Sequence, residues 1–452
     1  MKQPKIVMMG GGSYNWSPGL LMDMILTPEL ENAEYRILDL SRENAETIAT
    51  VGRRYASEWQ LPATFIPTQD SDAALDGADF VVVTISTGGL GAMEPDLKIP
   101  EKYGIYQTVG DSVGPGGWAR TIRNVPVFAK LAEDAKRLCP QAVLLNYTNP
   151  MASLTKVLAL LTPQPSVGLC HGLFSVHQFL RTVFGLKDDS EISMRYGGIN
   201  HFFWVLDFQI KGKPGYPMLR RRLTGGKSFD DLVRAAMIDP AGHLSRTRRV
   251  ADEFFREYGY LTYMADRHTC EFVSRFLTPT PDRLAPYGIP RTSVADRKAK
   301  LAQKARQVKD LASGKTPLTK SRSRETAADI IAARVGGRTF VDIMNLPNVG
   351  QIPNLPMGTV VETTGVVNGL GFAPVHLGPL PEQLATMTHP HAVNADLTVE
   401  AALEGDWEKA YHALINDPLC SHLTVGQVKK MGRELLEANR KLLPQFFGRR
   451  SR

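Results

Sequence analysis

The sequence predicts an α/β protein in which an N-terminal, doubly wound parallel sheet precedes a C-terminal α+β domain. In the first half, short β-branched runs alternate with helix-like stretches, which is typical of parallel sheets with helices on both faces. These runs are continuously apolar, as expected of strands that are buried on both sides. The pattern changes after about residue 195, and we therefore predict domains at residues 1–196 and 197–452.

The elements follow in chain order from the positions of the apolar runs and of the turn residues between them. The predicted strands of the first half are Lys5–Met9, Tyr35–Leu38, Asp79–Thr84, Ala142–Asn146 and Ser166–Leu169, with a helix near Leu20–Leu26. In the second half we expect one longer strand at Ile199–Ile210, helices near 247–258 and 296–312, a Pro-, Gly- and Asn-rich segment at 341–381, and helices from Glu382 onward.

Composition argues for an ordinary globular protein. Hydrophobic residues make up 43% of the chain and charged residues 22%, which disfavours disorder. No apolar run reaches the roughly 20 residues that span a bilayer. The start, MKQPKIVMMGGGSYN, has neither the apolar core nor the cleavage site of a signal peptide. We therefore expect a cytoplasmic protein without a membrane partner.

Charge and cysteine usage narrow the possible partners. The net charge of +7 fits a mildly basic surface, or a positive field that attracts an anionic substrate. The basic segment 297–324 lacks interleaved aromatic residues, so a nucleic-acid partner is not expected. The four cysteines are widely spaced without a CxxC pair, which disfavours a disulfide framework and a cysteine-rich zinc module. A single thiolate could still bind a metal ion.

A nucleotide site is predicted where the first strand ends. Gly10, Gly12 and Ser13 allow a tight turn and close approach of the backbone to a pyrophosphate at the next helix N-terminus. Asp39 ends the second strand, where its carboxylate can bind both ribose hydroxyls and repel a 2′-phosphate, which favours NAD over NADP. Thr87 and Asn146 follow two further strands and are expected at the same crevice. Together these features predict a Rossmann-type NAD-binding domain, although Asn15 replaces the usual third glycine.

Several sequence blocks then indicate a family. They are GGGSYNWSPGL at 10–20, GDSVGPGGWARTIRNVP at 110–126, NYTNPM at 146–151, GLCHG at 168–172, GINH at 198–201, GYLTYMADRH at 259–268 and IPNLPMGTVVE at 352–362. In this order the blocks resemble glycoside hydrolase family 4, the NAD- and divalent-metal-dependent glycosidases, whose fold is related to lactate and malate dehydrogenases. The resemblance implies oxidation of a sugar at C3, removal of the C2 proton and elimination of the C1 substituent. Water then adds and the hydride returns.

The resemblance also implies a metal site. It carries the two protein ligands onto Cys170 and His201, and a thiolate with an imidazole suits a borderline metal; family members use manganese. Without the resemblance, a buried core cysteine and a hydrogen-bonded core histidine would explain the same residues. We expect Mn²⁺ or another divalent ion at this pair.

Catalytic residues follow from the same resemblance. The C2 base in several members is a tyrosine, and Tyr260 is our choice with Tyr263 as the alternative; either could instead be a packing tyrosine. Asn149 matches a residue that binds the reacting sugar hydroxyls. Asp111 lies in a Gly-rich loop, where it could bind substrate or orient a metal-bound water, or simply form a turn.

The residues after Cys170 indicate the kind of sugar. The string Cys-His-Gly-Leu resembles the CHGx pattern of the α-glucuronidase-like subgroup rather than that of 6-phosphoglycosidases. We therefore expect an α-glycoside without phosphate, with an acidic sugar such as an α-glucuronide or α-galacturonide, and His171 as the residue that protonates the leaving oxygen. Candidates to bind the acid group are Arg120, Arg123, Arg267 and Arg275.

Other functions remain open at this stage. The same mechanism could act on an α-glucoside, α-galactoside or sulfoquinovoside. A malate- or lactate-type dehydrogenase would share the Rossmann half, but it would use a catalytic His with an Asp and no metal thiolate. A catalytically inactive NAD-binding sensor is a third hypothesis. We expect a homodimer or homotetramer in each case.

Overall fold

The computed structural model describes residues 3–236 and 247–448, and it joins their strands in one sheet of 13 strands. Six strands are parallel and run in the order β6-β5-β4-β1-β2-β3. They are β1 (Lys5–Met9), β2 (Glu34–Leu38), β3 (Thr64–Thr68), β4 (Phe80–Val83), β5 (Val143–Asn146) and β6 (Ser166–Gly168). The doubly wound parallel sheet predicted for the first half is confirmed.

The antiparallel part of the sheet continues from β6 in the order β11-β12-β7-β8-β10. Its strands are β7 (Ile192–Ile199), β8 (Phe202–Ile210), β9 (Lys213–Pro214), β10 (Leu261–Thr262), β11 (Phe340–Pro347), β12 (Val360–Asn368) and β13 (Gly371–Pro374). β11 meets β6 through a single register pair, Asn345 opposite Gly168. The single strand expected at 199–210 is wrong at its start, because Asn200 and His201 form a two-residue turn between β7 and β8.

Helices cover both faces of the sheet. They are α1 (Ser17–Ile25), α2 (Arg42–Trp59), α3 (Ser71–Leu75), α4 (Gly89–Glu101), α5 (Gly114–Leu138), α6 (Met151–Leu161), α7 (Gly172–Phe184), α8 (Gly215–Arg222), α9 (Phe229–Ala236), α10 (Arg249–Tyr258), α11 (Asp266–Thr269), α12 (Val294–Ala312), α13 (Ala327–Gly336), α14 (Glu382–Glu404), α15 (Trp407–Ile415), α16 (Val425–Ala438) and α17 (Pro444–Phe447). Capping residues explain several starts: Ser41 accepts the Asn44 amide at α2, and Ser293 with Asp296 forms a capping box at α12.

Alternate residues of the parallel strands supply two separate cores. Val7, Val81 and Val83 face one core, whereas Ile6, Met8 and Val82 face the other, as the two-residue period of a strand requires. Full burial of each such side chain contributes about 1.5–3 kcal/mol. The carboxyl ends of these strands therefore have fixed positions, and ligands of open α/β sheets bind at such ends. Among the described residues, no helix combines the length and apolarity needed to cross a bilayer.

Candidate functional site

The turn after β1 leaves no room for side chains. Gly10 has a φ of +80°, and a Cβ atom there would lie 2.9 Å from the Thr84 carbonyl. A Cβ on Gly12 would lie 2.6 Å from the Asp39 carboxyl carbon. The Ser13 hydroxyl accepts the Trp16 amide just before α1 begins, so the turn leads directly into a helix N-terminus. Such a cradle of glycines next to a helix N-terminus fits a pyrophosphate.

Asp39 borders this turn from β2. One carboxylate oxygen accepts the Gly12 amide at 3.0 Å and the other accepts the Ser41 amide at 2.8 Å. Each carboxylate oxygen has a second lone pair, so both can still accept a ribose hydroxyl. The geometry fits the adenosine end of NAD.

Thr87 and Asn146 make hydrogen bonds within the protein. The Thr87 hydroxyl donates to Asn124 Oδ1 at 2.7 Å. Asn146 is fully buried, donates to Thr155 Oγ1 at 3.1 Å and accepts the Thr148 amide at 2.8 Å. Asn146 is the last residue of β5 and Thr87 lies in the turn between β4 and α4, where these hydrogen bonds fix the backbone.

A second group of side chains lies at the end of β7. One ligand atom from each of Asp111, His201 and His268 lies within 4.8 Å of the other two. We call these three residues the His–Asp cluster. His201 has a φ of +65° in the turn between β7 and β8, and its ring centroid is 4.4 Å from that of His268. Two imidazoles and a carboxylate are suitable ligands for a divalent ion such as Mn²⁺.

The electrostatics of the His–Asp cluster favour ligand-competent forms. Burial lowers the pKa of His201 far below its ordinary value and that of His268 to about 4, so both imidazoles are neutral near pH 7. Burial alone would raise the pKa of Asp111, but the neighbouring charges of His268, His201 and Arg120 lower it to about 2. Of these three, Arg120 is the cation that persists at neutral pH. Asp111 is therefore an anion facing two neutral nitrogen ligands.

Cys170 lies beside the His–Asp cluster and is not one of its three members. A Cβ on Gly172 would lie 3.6 Å from the Cys170 sulfur and 3.7 Å from the Tyr263 ring, so thiol and ring border the same glycine. Burial and the Glu362 charge raise the pKa of the thiol, and a hydrogen bond from Asn200 opposes them. A bound cation would favour the thiolate.

Glu362 forms a buried polar group behind Cys170. Its side chain is fully buried, and one oxygen accepts the amides of Asn200 at 2.9 Å and Asn345 at 3.0 Å. Burial raises its pKa to about 7. These bonds link the ends of β7, β11 and β12 behind the candidate metal ligands.

The loop that carries Asp111 is held by a second buried carboxylate. Glu271 accepts the amides of Val109 at 2.7 Å and of Gly110 at 3.0 Å, and the Thr108 hydroxyl at 3.1 Å. Because Glu271 and His268 belong to the same short segment, these bonds fix Asp111 relative to His268. The Asp111 Oδ1 and His268 Nδ1 atoms are 3.9 Å apart.

Three arginines lie near the His–Asp cluster. Arg120 donates to the Asn149 carbonyl at 2.9 Å, and Arg297, in the first turn of α12, donates to the Val109 carbonyl at 3.2 Å. In the described part of the chain, the buried Nε atoms of Arg267 and Arg297 have no hydrogen-bond partner. Their guanidinium groups interact electrostatically with one another, and that of Arg297 also with Asp111. These three guanidinium groups share the region with two carboxylates, Asp111 and Glu271, which leaves an excess of positive charge and unused donors.

The other predicted arginines lie in different surroundings. Arg123 is 1% exposed and pairs with Asp96 at 2.6 Å, while its Nε donates to the Thr87 carbonyl at 3.0 Å. Arg275 pairs with Glu253 at 3.2 Å and lies over two phenylalanine rings. Both guanidinium groups are thus engaged within the protein.

The two candidate tyrosines face opposite sides of the sheet. They flank β10 three positions apart, which directs their side chains to opposite faces. Tyr260 packs at the core that contains Trp204 and Phe254, and its ring contacts that of Tyr216 edge-on at 6.2 Å. Tyr263 is 5% exposed and stacks on His201, with ring centroids 5.3 Å apart. The structure thus brings Tyr263 to the His–Asp cluster.

His171 and Asn149 border the same region. His171 precedes α7, and its Nδ1 lies 2.9 Å from a Glu325 oxygen. In the described ranges, the buried Oδ1 atom of Asn149 has no hydrogen-bond partner, so it can accept a ligand hydroxyl. Sequence reasoning missed His268, Arg297, Glu271 and Glu362. The sequence did carry a signal for His268 and Glu362, because each ends one of the blocks that resemble family 4.

Comparisons with known proteins agree over nearly the whole chain. Residues 5–186 match the family described as family 4 glycosyl hydrolase, and residues 196–420 match the family 4 glycosyl hydrolase C-terminal domain. The α-galacturonidase of Thermoanaerobacter italicus is 31% identical, covering 97% of each chain. The α-galactosidase of Bacillus subtilis is 30% identical, covering 98% of this chain and 99% of its own.

Solved structures show the same fold. A Bacillus subtilis protein described as a glucosidase is 28% identical, with a TM-score of 0.85 over 96% of this chain and all of its own. A 6-phospho-α-glucosidase from gut microorganisms, solved with NAD and Mn²⁺, is 19% identical, with a TM-score of 0.78 over 98% of this chain and 99% of its own. The latter likeness concerns the fold alone.

Proposed function

The chain belongs to family 4 of the glycosyl hydrolases, and from that premise we propose that it hydrolyses α-galacturonides with NAD and a divalent metal ion. The observation that carries the choice of an acidic sugar is the set of three arginines near the His–Asp cluster, Arg120, Arg267 and Arg297. Identity alone does not separate the acid from the neutral sugar, because the relatives named α-galacturonidase and α-galactosidase are 31% and 30% identical.

We propose that the two cofactors occupy the two sites described above. The glycine turn with Asp39 would hold NAD, with Thr87 and Asn146 supporting the crevice. Asp111, His201 and His268 would hold Mn²⁺ or another divalent ion, together with Cys170 once its thiol ionises. The chemistry that they supply when bound is reversible hydride transfer at C3 of the sugar and polarisation of the C2 and C3 oxygens.

The protein's own residues would carry the proton transfers and the binding of the sugar. Tyr263 is our preferred base for the C2 proton, because its ring stacks on His201, whereas Tyr260 lies on the opposite face of the sheet. His171 would protonate the leaving oxygen, and its contact with Glu325 would orient the imidazole. The Asn149 amide oxygen would accept a sugar hydroxyl.

The arginines support an anion at C6 of the sugar. Arg120, Arg267 and Arg297 bring three positive charges to a region with two carboxylates, Asp111 and Glu271. A planar guanidinium binds a carboxylate through paired hydrogen bonds. Arg123 takes no part in this proposal, because its charge is balanced by Asp96 in the interior.

The activity can be tested with nitrophenyl glycosides in the presence of NAD, Mn²⁺ and a reductant. We expect the α-galacturonide to react faster than the α-glucuronide, α-galactoside, sulfoquinovoside and 6-phosphates. NAD should be needed in catalytic amount and no NADH should accumulate, because the hydride is returned. Fastest turnover of a neutral or phosphorylated glycoside would reject the uronide, and NADH formed in proportion to product would indicate a dehydrogenase.

An arginine variant tests the acid-binding role separately. Arg297→Ala should lower kcat/KM for the uronide about 10- to 100-fold, the scale of one lost charge-assisted hydrogen bond, with little change for the α-galactoside. Lys298→Ala, at the next and exposed position of α12, is the matched control. An equal loss on both substrates would contradict a role for Arg297 in binding the acid.

Domain roles and assembly complete the proposal. Residues 1–196 would bind NAD, and residues 197–452 would complete the metal and substrate site. We propose a cytoplasmic homodimer or homotetramer; all four cysteines are unpaired, which suits a reducing compartment. Light scattering during size-exclusion chromatography would measure the assembly, and a monomeric mass would refute it.

A further inference from the structure

Ser112 connects two members of the His–Asp cluster. Its hydroxyl oxygen lies 2.9 Å from Asp111 Oδ1 and 2.9 Å from His201 Nδ1. A hydroxyl can donate only one hydrogen, and an ionised carboxylate can only accept. The hydrogen of Ser112 must therefore point to Asp111. The side of the oxygen that faces His201 can then only accept.

This hydrogen-bond order determines the state of the imidazole. Because the Ser112 oxygen accepts from His201, Nδ1 must carry the hydrogen. A neutral imidazole has a single N–H, so the lone pair lies on Nε2. We propose that Ser112 is a positioning residue that holds His201 in the Nδ1–H tautomer and leaves Nε2 as the nitrogen available to a metal ion. The last step, from tautomer to metal, rests on the proposed function.

The backbone on both sides of Ser112 is fixed. Before it, the amides of Val109 and Gly110 donate to the buried Glu271 carboxylate. After it, the Gly114 amide donates to Asp417 at 3.1 Å, where α5 begins. The Cα atom of Ser112 therefore has a fixed position, and the hydroxyl is kept between Asp111 and His201 by its own two hydrogen bonds.

The His201 side is fixed as well. Its left-handed φ belongs to the two-residue turn that joins β7 to β8, and Ile199 pairs with Phe202 across that turn. The ring packs against those of Tyr263 and His268, which also contact each other. The opposite tautomer would require Ser112 to give up Asp111 in order to donate to Nδ1. Losing a hydrogen bond to a charged group disfavours that form by at least about tenfold.

The tautomer can be measured on the metal-free protein. We would label the histidine rings with ¹⁵N and record long-range ¹H–¹⁵N spectra near neutral pH, assigning His201 with a His201→Gln variant. The expected result is a protonated Nδ1 in the wild type. A protonated Nε2 as the main form would overturn the proposal, and this test does not require any Ser112 variant to fold.

Variants then test whether Ser112 is the cause. Ser112→Ala should populate the other tautomer, and Ser112→Thr, which keeps a hydroxyl, should restore the wild-type spectrum. Ser153→Ala is the matched control, because Ser153 is buried next to Ser112 at the same small cavity. An unchanged His201 spectrum in Ser112→Ala would refute the role of Ser112.

Metal binding separates this proposal from the proposed function. Ser112→Ala should weaken Mn²⁺ binding about 10- to 100-fold, measured by electron paramagnetic resonance of free Mn²⁺, with NAD affinity unchanged. Unaltered Mn²⁺ affinity despite a changed tautomer would refute the link to the metal. A wild type with protonated Nδ1 but no Mn²⁺ binding or glycosidase activity would refute the proposed function and leave the tautomer assignment intact.

Discussion

The nucleotide crevice and the His–Asp cluster are built from different kinds of chemical groups. The crevice is built mainly from glycines and main-chain groups beside the Asp39 carboxylate, and a Cβ atom on Gly12 would lie 2.6 Å from the Asp39 carboxyl carbon. The cluster consists of side-chain atoms from three distant segments. Ser112 hydrogen-bonds His201, and Glu271 accepts the Val109 amide in the loop that carries Asp111. The crevice should therefore be sensitive to added atoms, and the cluster to removed ones.

The largest expected effect is the removal of a cluster atom. His268→Ala and Cys170→Ser should each lose bound metal and lower activity about 10³-fold, since a metal ion contributes several kcal/mol to the transition state. NAD affinity should be unchanged, because the glycine turn lies at β1. Metal content and kcat would be compared with those of His389→Ala, an exposed control.

The result for Cys170 also tests the metal ligand pair, Cys170 and His201, that the family resemblance implies. Chelator should abolish wild-type activity and Mn²⁺ should restore it, while oxidation of the thiol should inactivate the enzyme and a reductant should protect it. Full activity and metal content in Cys170→Ser would make Cys170 a packing residue and leave the His–Asp cluster as the whole site.

The next largest effect is an added atom in the crevice. Gly12→Ala should weaken NAD binding by about 1–3 kcal/mol or more, the typical cost of overpacking, with metal content unchanged. The double variant Gly12→Ala/Asp39→Ala should lose less NAD affinity than the sum of the two single losses, because the added carbon meets the Asp39 carboxylate. Isothermal titration with NAD measures both, and strictly additive losses would contradict the contact.

Removal of a side chain from the crevice should have a smaller effect. Asp39→Ala should weaken NAD binding by about 1–3 kcal/mol, the range for hydrogen bonds lost at a desolvated site. The backbone donors of the turn would remain. NADP binding should change less, and wild-type protein that binds NADP as tightly as NAD would refute the role of Asp39.

The smallest expected effect concerns Asp417, which supports the loop that carries Asp111. Burial raises the pKa of Asp417, which accepts the Gly114 amide, from 3.8 to about 6. The folded protein thus holds this proton more tightly than the unfolded chain, so ionisation costs stability as the pH rises from about 4 to 6. Over this interval the unfolding free energy of the wild type should fall relative to Asp417→Asn. Chemical denaturation measures it, with the exposed Asp282→Asn as control.

The sequence predicted the crevice better than the cluster, for a physical reason. A glycine turn and a strand-ending Asp39 lie within one βαβ unit, and their roles follow from local geometry. Asp111, His201 and His268 meet only after β7 and the segment after β10 have packed together, which no local pattern determines. The choice between Tyr260 and Tyr263 likewise depended on which face of the sheet each side chain occupies.

The same limit applies to the fold. The parallel strands and the helix at 296–312 were predicted because their apolar periodicity is local. The turn at Asn200 and His201 was not predicted. These two polar residues interrupt a long apolar run, but that they form a turn follows only from the pairing of β8 with β7. Arg297, which adds to the positive charge near Asp111, was also missed. The sequence places it in an ordinary basic helix.

The single register pair between β6 and β11 has a mechanical consequence. The parallel strands pair at three to five consecutive positions. Between them and the His–Asp cluster the ladder narrows to one pair at Asn345 and Gly168, and to two pairs between β12 and β7. A displacement at the His–Asp cluster therefore reaches the nucleotide strands mainly through packed helices, such as α14 against α5 and α6, rather than through the backbone ladder. Shear between side chains, not bending of a common sheet, is the motion that would couple the two sites.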